Sequence, residues 1–110
     1  MDDQEARMEQ KAIDYHRLRM TEQLQREVSI EEALTDWGAN YRMKWRAARM
    51  ARVLALQRSE IERHRWIESE KAQHDVGRRA AMEWVQHHAA DWRREYDEKE
   101  EWGVLPEIYE

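Results

Sequence analysis

The chain has 110 residues, of which 39% are charged, with a net charge of −5, three glycines, one proline and no cysteine. Ala, Glu, Lys, Leu and Arg supply 55 of these residues, a composition typical of long helices. Val, Ile and Thr number only 12, too few for a β-rich domain.

Without cysteine, a disulfide scaffold, a zinc–thiolate site, an iron–sulfur cluster and a thiol nucleophile are all excluded. The opening Met1-Asp2-Asp3-Gln4-Glu5 is acidic and lacks the apolar core of a signal peptide. No run approaches the roughly 18 apolar residues of a membrane span, so a cytoplasmic protein with no membrane partner is expected.

Along the chain, the first break falls before Ser29-Ile30-Glu31-Glu32. This is a capping-box pattern, in which the Ser29 hydroxyl accepts the Glu32 N–H and the Glu32 side chain returns to Ser29. One helix is therefore expected to stop near Glu27 and another to start near Ile30. From Ile30 onward, Ala33, Leu34, Trp37, Tyr41, Trp45, Ala48 and Ala55 share one helical stripe with Ile30, the mark of a core-facing surface. Met43, Ala47, Met50, Leu54 and Ile61 form a second stripe on nearly the opposite side. A helix apolar on two faces calls for a partner surface, and a second copy of the chain is the simplest.

Residues 30–74 contain no proline, and Ser59-Glu60-Ile61-Glu62 is the one plausible restart signal. If it is silent, a single helix of about 45 residues is expected, on the order of 68 Å long. If it breaks, two hairpins fold into a compact four-helix bundle. Asp75-Val76-Gly77 marks the next turn, where Gly77 is expected to end the preceding helix. In the last helix Ala81, Trp84, Val85, His88, Ala89, Trp92 and Tyr96 form a stripe, with His88 expected as a packed core residue between two tryptophans.

The chain also repeats itself. Residues 16–29 align with 64–77, pairing His16-Arg17 with His64-Arg65, Glu22 with Glu70, Gln25 with Gln73 and Val28 with Val76. After a one-residue gap, 32–46 aligns with 79–93, pairing Ala33 with Ala80, Asp36 with Glu83, Trp37 with Trp84, Trp45 with Trp92 and Arg46 with Arg93. Tyr41 and His88 occupy matching places. The expected fold is all-α: two tandem helix–turn–helix units sharing a long central helix. The expected division is 1–58, 59–102 and an acidic tail, 103–110, within one structural domain.

Catalytic chemistry finds little support. His64 with Glu68, Glu70 with His74, and Glu83 with His87 are i,i+4 pairs, but no Glu-x-x-His and no His-Glu-x-x-His occurs. A metal-holding bundle using His64, His74, His87 or His88 is the weakest of three readings. No catalytic residue, cofactor or metal is assigned, and the chain is not expected to be an enzyme. The favoured reading is an interaction or structural subunit that binds a protein partner or itself. Its contacts would be Met43, Met50, Leu54 and Ile61 with the tail anchors Trp102, Leu105, Ile108 and Tyr109. A tail folded back on its own bundle is the alternative for those anchors. The runner-up function is nucleic-acid association. Residues 42–65 carry a local charge of +6, and Arg42, Arg46 and Arg49 would contact phosphates.

Overall fold

A computed structural model describes residues 3–99 and 104–110, and the expectation for Trp102 falls outside the described residues. The fold is all-α. The elements in order are α1 (Asp3–Leu24), α2 (Ile30–Asp36), a π-helical turn (Trp37–Tyr41), α3 (Arg42–Ala72), α4 (Gly77–His87), α5 (Ala89–Lys99) and a 3₁₀ turn (Pro106–Tyr109). From Ile30 to Ala72 the chain is one continuous helical run of 43 residues. Ser59 does not interrupt it, because its hydroxyl donates back to the Ala55 carbonyl one turn earlier.

Cα packing divides the chain into two compact units, Met1–Met50 with Asp97–Glu110, and Ala51–Tyr96. Each of the two sequence repeats falls within one unit. In the first unit, Met8, Ala12, Ile13 and His16 lie on one stripe of α1 and are buried. Its apolar cluster joins Met8, Ala12 and Ile13 to Trp37, Trp45, Leu105 and Ile108. In the second unit the described buried apolar residues are Val53, Val76, Ala80 and Trp84.

The hairpin turns follow the repeat. Both helices that enter a turn close on a glutamine in the left-handed region, Gln25 at φ 55° and Gln73 at φ 61°. Gly77, expected to end a helix, instead opens α4. A methyl group at Gly77 would lie 2.6 Å from Nε of Arg65, so glycine leaves room for that guanidinium. Ser29 caps α2 as expected, its hydroxyl accepting the Glu32 N–H at 3.1 Å. The return half of the box is absent, because the Glu32 carboxylate is taken by Arg26 at 2.6 and 3.0 Å.

Two further expectations change. The π turn, closed by the Arg42 N–H on the Trp37 carbonyl, was not foreseen. Four-residue steps overshoot an α-helical turn by 0.4 residue, and the wider π turn offsets part of that drift. Trp37 and Trp45 are therefore buried together while Ile30 and Leu34, assigned to the same stripe, are exposed. The last helix is likewise not continuous. It breaks at His88 (φ −123°, ψ −23°), which separates α4 from α5.

Candidate functional site

The two repeats build the same constellation twice. In the first, the ring of His16 lies 4.6 Å from that of Tyr41, and Trp37 lies 6.2 Å from Trp45 at an interplanar angle of 59°. In the second, His64 lies 5.7 Å from His88, and Trp84 lies 6.0 Å from Trp92 at 62°. Each histidine faces the acid of its own repeat. Nε2 of His16 is 2.7 Å from the Asp36 carboxylate, and Nε2 of His64 is 3.5 Å from that of Glu83. The repeat inferred from sequence is thus a repeat of side-chain geometry.

The first constellation is closed by the tail. Leu105 and Ile108 are buried in the cluster with Trp37 and Trp45. Tyr109 stacks on His16 with its ring centroid 5.8 Å away and lies 5.2 Å from Tyr41. The guanidinium of Arg19 covers the outer face of Tyr109, 4.1 Å from the ring centroid. A carboxylate only accepts, so Nε2 of His16 donates to Asp36, while Nδ1 and the Tyr109 hydroxyl share a hydrogen bond of 3.0 Å. Burial pushes the Tyr109 phenol up to about 12, with the Arg19 charge opposing that rise. Leu105, Ile108 and Tyr109 are therefore no free docking strip. They fill their own unit, because burying two aliphatic side chains and a stacked phenol outweighs leaving them in water.

The arginines assigned to phosphate are committed to carboxylates. Glu9 is buried, and its Oε2 accepts both the Trp37 indole N–H and Nε of Arg42 at 2.9 Å. Arg46 approaches the other carboxylate oxygen at 3.7 Å. Arg49 is itself buried and pairs with the buried Asp97. Each guanidinium neutralises an acid that would otherwise be costly to bury.

Among the described residues, no such tail covers the second constellation. His88, expected in the core, is exposed, and Trp92 is half-buried where its counterpart Trp45 is fully buried. His64, Trp84, His88, Asp91, Trp92 and Glu95 line a recess of about 370 Å³. Nε2 of His64 is buried and makes no hydrogen bond, unlike the matching nitrogen of His16. Among the described residues no three His, Asp or Glu side chains converge as a metal site would require.

On the second stripe, Met43 and Met50 of the first unit are 73% and 48% exposed. Leu54 of the second unit is 50% exposed, and Ile61 is half-buried. Sequence reasoning missed His16, Asp36, Glu9 and Asp97. His16 and Asp36 were visible as members of the repeat, but only the hairpin brings them together. No described helix is long and apolar enough to cross a membrane.

Compared with protein-family models, characterised protein sequences and solved structures, the chain matches none.

Proposed function

We propose that the protein is a small, non-catalytic helical interaction module that works in the cytoplasm by binding a protein partner, itself or both. One observation carries this reading: large apolar side chains stay in water on each unit. Met43 is 73% exposed in the first unit and Trp66 66% in the second. Side chains of this size add most to binding when a partner removes them from water. The groups that would carry chemistry are, by contrast, engaged with one another, as in the His16–Asp36 and Arg49–Asp97 pairs.

The nucleic-acid reading draws no support from Arg42, Arg46 and Arg49, which face Glu9 and Asp97 within the chain. The absence of cysteine fits a reducing compartment.

The test replaces Met43 or Trp66 with a photoreactive residue and irradiates the producing cells. Discrete protein adducts at either position, including a cross-linked second copy, are expected. Adducts to nucleic acid alone, or no adduct at either position, would overturn the reading.

A further inference from the structure

The first unit carries its own occupant; the second has the matching aromatic set with none among the described residues. We propose that the recess at His64, Trp84, His88 and Trp92 docks a short basic segment of another protein, with anchors patterned like Leu105, Ile108 and Tyr109. This rests on the interaction-module reading and names the partner's chemistry.

The anchor pattern comes from the sister site. There an extended residue and a 3₁₀ turn deliver Leu105 and Ile108 into the apolar cluster and the Tyr109 hydroxyl onto Nδ1 of His16. In the second unit the rings recur at matching separations, but Trp92 and His88 are more open than Trp45 and Tyr41. The acid–histidine pair is looser as well, at 3.5 Å against 2.7 Å, and leaves a buried ring nitrogen without a hydrogen bond. A phenol set against His64 as Tyr109 is set against His16 would stack on the imidazole and bring its hydroxyl to Nδ1, with Nε2 left facing Glu83. The recess, about 370 Å³, is within the roughly 300–1,000 Å³ of ordinary ligand sites.

The sign of the partner's charge comes from the rims. Lys44 lies over Tyr41 and Arg19 over Tyr109 in the first unit, and the tail, whose Tyr109 packs on Tyr41, carries Glu107 and Glu110. In the second unit Asp91 stands at the Lys44 position, Glu95 at that of Ala48, and Ile67 at that of Arg19. Two basic groups at the rim become an acid and an aliphatic residue, and a further acid is added. Arg94 pairs with Asp91 at 3.2 Å, and Arg63 occupies the Tyr15 position, but neither lines the recess. A second copy's acidic tail would bring Glu107 and Glu110 against Asp91 and Glu95, so the rim selects a basic segment from a different chain.

The experiment titrates the full chain with two synthetic peptides. One is its own Val-Leu-Pro-Glu-Ile-Tyr-Glu, and the other carries Lys at both Glu positions. Calorimetry gives affinity, and the Trp84 and Trp92 indole N–H resonances report the site. The lysine peptide is expected to bind at least tenfold tighter, to shift those two resonances and to weaken with salt. The surface variant Asp91→Lys/Glu95→Lys, its fold checked by circular dichroism, should reverse the preference. Three results would each overturn the proposal: equal or absent binding of the two peptides, an unchanged preference in the variant, or tighter binding of the acidic peptide, which would assign the recess to a second copy. Protein adducts at Met43 or Trp66 that persist in the variant would leave the interaction reading standing while this inference fell.

Discussion

Nδ1 of His16 and the hydroxyl of Tyr109 lie 3.0 Å apart although 93 residues separate them in the chain. The contact locks the C-terminal turn onto the first helical hairpin, with Leu105 and Ile108 as the buried wedge behind it. Leu105→Ala should therefore destabilise the fold by about 2–5 kcal/mol, the usual range for emptying a core leucine site. Urea unfolding followed by tryptophan fluorescence measures this. Trp37 and Trp45, now fully buried, should also emit at longer wavelength as the tail loosens.

Tyr109 sets an alkaline limit. Its folded pKa, about 12, is above the ordinary tyrosine value of about 10. The folded state thus holds the phenolic proton more tightly than the unfolded chain. This stabilisation is fully present below pH 10 and is lost as pH rises from about 10 to about 12. Tyrosinate absorbance should show one phenol ionising last, in step with loss of the tail's protection from hydrogen exchange. Tyr109→Phe should remove that late phase and cost about 1 kcal/mol at neutral pH for the lost hydrogen bond.

Asp97 and Arg49 form a buried ion pair in the first unit. Removing one partner leaves an uncompensated charge, so Arg49→Met should cost about 3–5 kcal/mol. The double variant Arg49→Met/Asp97→Leu should regain most of that loss, because two apolar groups need no pairing. Thermal denaturation of the three proteins gives the coupling directly. A single variant as stable as the parent would show the pair to be dispensable.

Gln25 and Gln73 close their helices with positive φ. A side chain in that region costs roughly 1–2 kcal/mol, and glycine returns part of the gain as unfolded-state entropy of about 0.5–1 kcal/mol. Gln25→Gly and Gln73→Gly should each stabilise the fold, by roughly 0.5–1 kcal/mol. Because the two lie in separate units, their effects should add in the double variant.

Much of the architecture was legible because it is written locally. Helix composition and the Ser29 cap depend on neighbours within a few residues. The repeat was legible because the Trp37/Trp45 and Trp84/Trp92 pairs are rare residues at a fixed spacing. The π turn was not legible, since tertiary burial of Trp37 and Trp45 outweighs the plain α period there. His88 was misplaced for a related reason: the stripe shows a face but not what covers it.

Amino-acid order by itself determined an all-α chain of two related helical units, and left open whether the helix between them breaks at Ser59. Tertiary structure alone decided that the tail fills the first aromatic set, and which acids hold the arginines. Glu9 meets Arg42 across 33 residues, Asp97 meets Arg49 across 48, and Tyr109 meets His16 across 93. Pairings at such separations leave no periodic trace in the chain. They arise when folding buries a charge or a polar ring and only a distant group of the right chemistry can satisfy it.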